Sequence, residues 1–550
     1  MNRRIADGVV NTFSDDQGLV VPVVPTFGNN DIYPHNTLMP GPNNILNTYT
    51  DIWERFIPED QRHSFEFGGW FYVEVIPDKL AVFSLNTMYF FDRNAGIDDC
   101  VQPSEPGYKH FEWLRVQLGF LRERGMKAIL MGHVPPARTS GKQLWEETCW
   151  QKYTLWLQQY RDVIVGSLYG HMNIDHFLLQ DTKDIDLALV TGEKTAGLVK
   201  TRESMEENFS IESSKDYLME LRDDWAKLPD PVLLEQDVEE LGKKNKHKKG
   251  KNKLGGPWAE RYQLTLISPS VVPNYFPTLR VFEYNITGLE DAKTWVDGVR
   301  PSDTSDLAHS ESELRTLELR DEPELGIEKK KKKKGKKGKK PEDSNLRIPD
   351  PPAKGASPGP AYLPQSLTLT GFTQYYANLT YLNNDIASQD AEDEVSSTHW
   401  NAGKHKGKKP KHEKPQPREF AYEVEYSTFD DKIYRLKDLT VKSLLDLAHR
   451  IGQASSEAKG LTSEHECEDD NDEEDQTKDV EVDDNDESDG DAESDDELEI
   501  EGKKGKKGKK HKGDKKKKKK KKKKKDNKVW LHFLRHAFVS TRTKDELKDI

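Results

Sequence analysis

Gly28-Asn29-Asn30-Asp31, Gly132-His133 and Gly170-His171-Met172-Asn173 are the stretches on which the reading of this chain turns. Each closes an apolar, β-rich run: residues 19–27, 126–131 and 163–169. Glycine lets the backbone turn as it leaves a strand, and the next side chain is then presented at the strand's end. One amide oxygen and two imidazoles delivered this way form a donor set suited to a divalent metal. Taken singly, Gly-His reads as a turn with a surface histidine, and Gly-Asn-Asn-Asp as an ordinary turn. Three in order, each behind an apolar run, favour metal ligation by Asn29, His133 and His171.

Working outward, residues 19–185 read as one α/β unit. The runs 70–76 and 80–85 flank Pro77-Asp78-Lys79, a hairpin signal. Residues 108–124 place Phe111, Leu114, Leu118 and Leu121 on one helical face, with Gly125 as its stop. A second amphipathic helix spans 150–160, between the runs 126–131 and 163–168. Alternating strands and helices predict a layered fold, with a partly parallel sheet between helices.

The rest of the chain is interrupted by charge. With 33% charged and 34% hydrophobic residues in 550, a large share never enters a core. The net charge of −13 conceals opposed blocks, acidic over 464–501 and basic over 503–525. Further Lys-rich runs lie at 243–253, 329–340 and 404–414. The expected organisation has an N-terminal segment 1–18, the α/β unit 19–185 and a mixed linker and helical part 186–242. A Lys-rich linker 243–255 and strands packing on the core over 256–300 follow. Beyond them, linkers without fixed structure (301–360, 391–416 and 456–528) alternate with folded pieces at 361–390, 417–455 and 529–550.

Three cysteines exclude a small disulfide framework. Cys100 and Cys149 lie in the ordered part, either bridged in an oxidising compartment or as two buried thiols. No run reaches the length of a membrane span, and polar residues 11–17 stand where a signal peptide would be apolar. The chain as written is therefore expected to lack a targeting segment.

The order Gly-Asn-x-Asp, Gly-His, Gly-His-x-Asn resembles the second half of the calcineurin-like metallophosphoesterase pattern. PTFGNND (25–31), GGWFYVE (68–74), FSLNTMYF (83–90), GHVPPAR (132–138), WQKYTLWL (150–157) and YGHMNIDH (169–176) are similar to the fungal endopolyphosphatase family. The resemblance implies hydrolysis of internal anhydride bonds in inorganic polyphosphate by a layered fold holding two divalent metals about 3.5–4 Å apart. Mn, Mg, Co and Zn are not distinguished. It places Asn29, His133 and His171 on the second metal. Where the family has a final histidine for the first metal this chain has Asn173, with His176 close by. Where the family has a histidine as general acid it has Asn30, which leaves His35 as the nearest imidazole. Arg138 reads as a phosphate contact or a salt-bridge partner.

The same resemblance implies a vacuolar type II membrane protein, glycosylated at the sequons of Asn208, Asn285 and Asn378. The family's upstream Asp-x-His and Gly-Asp motifs, and its membrane anchor, have no match among residues 1–27. A start placed too far downstream or a shortened isoform is expected, with weak metal binding and little catalysis by these residues alone. A non-catalytic polyphosphate-binding scaffold, and a different phosphoester substrate, are the rival readings. The Lys runs suit a polyanion through counterion release, or are solvated linkers. They carry no interleaved aromatics, so specific nucleic-acid binding is not expected.

Overall fold

The computed structural model describes residues 1–194, 203–205, 211–230, 254–272, 274–300, 347–382, 418–453 and 527–550. The expected hairpin forms from β1 (Phe71–Ile76) and β2 (Leu80–Ser84), paired antiparallel. Asp78 takes a left-handed φ of 59° at the turn, a conformation Asp tolerates better than most residues. Helix α1 (Pro106–Glu123) carries the chain from β2 to β3 (Lys127–Met131). It buries Phe111, Leu114, Leu118 and Leu121, and Gly125 follows it at φ +71°. Helix α2 (Glu147–Gln159) then leads to β4 (Ile164–Tyr169). Strands β2, β3 and β4 are mutually parallel, as helical crossovers require.

The sheet is not confined to residues 19–185. β5 (His176–Asp181) pairs with β6 (Tyr262–Ile267), which lies between β4 and β5 in the order β1-β2-β3-β4-β6-β5. All six residues of β6 are buried, as expected for an inner strand covered on both faces. The result is a central sheet flanked by helices.

A second sheet is antiparallel. It joins β7 (Thr278–Tyr284), β8 (Leu369–Tyr376) and β9 (Glu423–Ser427). Helices α3 (Ile211–Trp225), α4 (Val441–Gly452) and α5 (Lys528–Ala537) complete the layers. Trp530, Phe533 and Leu534 of α5 are buried, and Phe533 meets Trp225 and Phe177 edge-on.

Two expectations change. The run 19–27 forms no strand beyond Gly18–Leu19, which pairs only with Ser14–Asp15. Pro22 and Pro25 supply no N–H to a ladder. Side chains secure this stretch instead: Ser84 donates to the Pro25 carbonyl at 2.6 Å and Thr26 to the Leu85 carbonyl at 3.0 Å. The second change concerns the linker 301–360, because residues 347–360 are described. Arg122 donates to the Asp350 carbonyl at 2.9 Å. A Cβ on Gly359 would stand 2.0 Å from the Arg161 carbonyl oxygen. This part is proline-rich rather than lysine-rich, and proline arrives stiff, with little entropy to lose. The Lys-rich and acidic blocks and Asn208 lie outside the described residues.

Candidate metal centre at the carboxyl edge of the sheet

Ser84 and Leu168 both pair with Met131, so β2, β3 and β4 end level with one another. Open α/β sheets bind ligands beyond this edge. His133 follows the end of β3 and His171 the end of β4. Gly132 donates to the Leu168 carbonyl at 3.1 Å and Gly170 to the His133 carbonyl at 3.1 Å, which ties the two turns together.

The glycines work differently from the sequence expectation. Gly132 is needed for close approach, since a Cβ there would lie 2.4 Å from Thr87 and 2.8 Å from Tyr169. Gly170 faces no such constraint. The left-handed turn is taken by His171 itself (φ 67°) and by Asn173 (φ 59°). Such backbone strain in non-glycine residues concentrates at functional sites.

Asn29 arrives from a third direction. Phe27 is fully buried against Tyr49 and Trp53, at ring separations of 4.7 and 4.9 Å. This aromatic anchor fixes the start of the turn over Asn29–Asp31. Asp31 closes it by accepting from the Gly28 N–H at 2.8 Å. A Cβ on Gly28 would stand 3.0 Å from that carboxylate and 3.2 Å from the His133 ring. The fourth position of the motif therefore shapes the turn, and its glycine lets the turn reach the histidine.

The three expected ligands converge. Asn29 Oδ1 lies 2.8 Å from His133 Nε2 and 3.1 Å from His171 Nδ1, and the two imidazole nitrogens are 3.2 Å apart. Donors bonded to one cation at about 2.0–2.1 Å sit roughly this far from each other. Burial pushes the His133 pKa down to about 4. Burial, with the neighbouring His133, His35 and Arg93, puts His171 well below the ordinary imidazole value. Both rings are thus neutral at physiological pH and keep a lone pair for a cation. The donor set fits a divalent metal, although it supplies no negative charge.

The remaining expected residues are placed unevenly. His35 is exposed beside the trio, its Nε2 2.6 Å from Asn30 Oδ1 and 3.2 Å from Asn29 Nδ2. Asn173 makes no side-chain hydrogen bond to the trio. His176 is turned elsewhere: its Nδ1 lies 3.2 Å from the Ile174 carbonyl and its Nε2 3.1 Å from the Tyr217 hydroxyl. As the first residue of β5 it points into the packing under α3, so strand alternation directs it away from the trio. Arg138 pairs with Glu147 at 3.1 Å and lies over the Trp150 ring at 3.9 Å. Both partners are buried, so the salt bridge prevails over the phosphate contact. Cys100 and Cys149 are bonded to each other. Asn285 and Asn378 are half-buried.

Two residues of the site carried no signal in the sequence. Asn36 accepts from Asn29 Nδ2 at 3.0 Å, and its left-handed φ of 63° brings it there. Arg93, close enough to act electrostatically on His171, is held by two hydrogen bonds to the Met205 carbonyl. Among the described residues, Asp431, His532 and His536 form a separate group with ligand atoms close enough to hold a metal ion.

No family model matches the chain. It is similar to proteins named endopolyphosphatase in several fungi. It is 51% identical to that of Neurospora crassa over its whole length, covering 79% of that protein. Identity is 35% to that of Saccharomyces cerevisiae, with 82% of this chain aligned to 68% of the relative. The Debaryomyces hansenii protein is 31% identical, with 84% of this chain aligned to 64% of it.

Proposed function

The chain belongs to the endopolyphosphatase family, and we propose that it cleaves internal phosphoanhydride bonds of inorganic polyphosphate at the edge formed by Asn29, His133 and His171. Members of this family are hydrolases acting on polyphosphate. The observation that carries the assignment of the site is the convergence of one amide oxygen and two neutral imidazole nitrogens at separations of 2.8–3.2 Å.

Each residue has a defined task. Asn29 presents its carbonyl oxygen because its NH2 group is spent on Asn36. His133 and His171 present lone pairs because burial keeps them neutral. Asn29, His133 and His171 would hold a divalent cation, which when bound would supply Lewis acidity toward a phosphoryl oxygen and a lowered pKa for water. Arg93 adds positive charge on the same side and suits a non-bridging phosphate oxygen. His35, exposed at the rim, is placed to give a proton to the departing chain end. That need is slight, because a phosphate leaving group accepts negative charge readily. The Lys-rich runs would gather the polyanion through counterion release.

We place the protein in the vacuole, with its folded part in the lumen. The Cys100–Cys149 bond supports an oxidising compartment, and the sequons at Asn208, Asn285 and Asn378 agree with it. No helix among the described residues is long and apolar enough to cross a membrane.

Polyphosphate chain shortening on gels, with Mn²⁺ or Mg²⁺ added, tests the site. His133→Ala should slow shortening by at least about a hundredfold, the scale of removing a group that organises electrostatic stabilisation. Equal shortening by the variant would remove the site assignment.

A further inference from the structure

We infer that helix α5 and the loop facing it carry a second, separate divalent-cation site of the zinc class, built from Asp431, His532 and His536. It shares no ligand with the trio at the sheet edge and does not rest on the hydrolytic reading.

His532 and His536 stand four residues apart on α5, which puts both imidazoles on one helical face. The facing loop, between β9 and α4, contributes Asp431. Its Oδ2 lies 2.6 Å from His532 Nε2, and the Nε2 atoms of the two histidines are 3.2 Å apart. All three ligand atoms lie within 4.8 Å of one another. Two imidazoles and a carboxylate with one position left open form a familiar donor set for zinc.

The surroundings are those of a ligand site rather than a chance ion pair. Asp431 Oδ1 accepts from the backbone N–H groups of Ile433 (2.8 Å) and Tyr434 (2.7 Å), which aims Oδ2 at the histidines. His536 Nδ1 lies 3.2 Å from Glu425 Oε1. Donation to that carboxylate fixes the proton on Nδ1 and leaves a lone pair on Nε2, the outer-shell arrangement that orients metal-bound histidines. Glu425 is itself held by Ser540 at 2.9 Å and by Gln374 at 2.6 Å. The Tyr426 ring stacks on His536 at 3.8 Å and Tyr434 meets His532 edge-on at 4.8 Å.

Burial and proton accounting point the same way. The side chains of Asp431, His536 and Glu425 are 5%, 4% and 1% exposed, while His532 retains 16%. The group is therefore covered except on the His532 side, from which a cation would reach it. A proton on His532 Nε2 can serve Asp431 or His536, but not both. A cation satisfies all three lone pairs together. It would also fasten α5 onto the second sheet. Because Ala537, next to His536, accepts from the Asp175 N–H at 3.2 Å, this fastening reaches the turn that bears His171.

The test uses the full chain. A His133→Ala/His171→Ala variant, stripped with EDTA, reloaded with Zn²⁺ and desalted, is analysed by elemental mass spectrometry. We expect one zinc per chain, falling to none when His532→Gln and His536→Gln are added. Chelation should also lower the melting temperature of the first variant by several degrees and leave the second unchanged. No retained zinc in the first variant would overturn the site, as would equal retention in both. Should the second variant fail to fold, X-ray absorption of the zinc-loaded first variant decides: two imidazoles in the coordination shell support the site, and none overturns it.

Discussion

Asn36 accepts a hydrogen bond from the Asn29 side-chain amide at 3.0 Å, and this contact decides which end of Asn29 faces His133 and His171. Outer contacts of this kind are typically worth 10–100-fold in metal affinity. Asn36→Ala should therefore raise the Mn²⁺ concentration for half-maximal polyphosphate cleavage by about tenfold. Its stability should fall by the lost hydrogen bond plus the strain of alanine at a left-handed φ, together about 2 kcal/mol. Unchanged Mn²⁺ dependence would show that Asn29 is oriented by something else.

Arg93 and Arg138 separate by their roles. Arg93 borders His171, whereas Arg138 is buried against Glu147 and Trp150. Arg93→Gln should raise KM for polyphosphate several-fold with little loss of stability. Arg138→Met strands a buried carboxylate, at a cost of about 3–5 kcal/mol, so it should show in chemical denaturation before it shows in KM. A pure KM effect at Arg138 would reverse the assignment.

Acid should destabilise the fold. Burial holds the pKa of His110 down to about 3, and those of His133 and His176 down to about 4. An unfolded chain titrates histidine near 6.5. As pH falls from 6.5 to about 4, the unfolded state takes up protons that the folded state refuses, so stability is lost across that window and is full above it. His110 lies between the rings of Trp70 and Phe90, at 4.5 and 4.9 Å. His110→Phe should recover about 2 kcal/mol at pH 5 relative to pH 7.5, the linkage for one such group. Melting curves at the two pH values, with chelator present, would read it out. Parallel slopes for variant and parent would refute the account.

Asp175 and Arg280 form a buried ion pair at 2.7 Å, 8% and 4% exposed. Arg280 also lies over the Phe372 ring at 4.0 Å, and the Tyr426 hydroxyl donates to Asp175. Asp175→Ala leaves the guanidinium buried without its partner and should cost about 3–5 kcal/mol. Asp175→Ala/Arg280→Met should recover a large part of that loss. Additive losses in denaturant titrations would mean the two charges are not coupled.

What the sequence disclosed follows from how far each signal reaches along the chain. Period-two and helical patterns over 71–84 and 106–169 placed the hairpin and both crossover units, because local burial alone decides them. Asn29, His133 and His171 were legible because each sits beside an apolar run that delivers it. His176, offered as a stand-in ligand for a first metal, turns instead to the Ile174 carbonyl and the Tyr217 hydroxyl, because its direction depends on the alternation of β5, whose start the sequence did not locate. The burial of Arg138 was equally hidden, since Glu147 and Trp150 come from a helix whose docking angle no local pattern encodes. Asn36 is brought back to Asn29, seven residues away, by its own left-handed φ, which no local pattern marks, whereas the Asp431–His532–His536 group depends on a contact spanning 101 positions of the chain. The residues of β6 read as a strand, but their insertion between β4 and β5 required the whole sheet.

The amide of Asn527 donates to the carbonyls of Arg450, Ile451 and Gln453 at 3.0, 3.2 and 2.8 Å. The last described residue before the charged block and the first one after it are therefore neighbours. A connection between two ends already held side by side can lengthen or shorten at small entropic expense, so the seating of α5 does not depend on how many residues join it to α4. Helix α5 is thus seated by contacts of its own, the Asn527 amide at its start and the buried Trp530, Phe533 and Leu534 along it, and not by its covalent link to α4 alone.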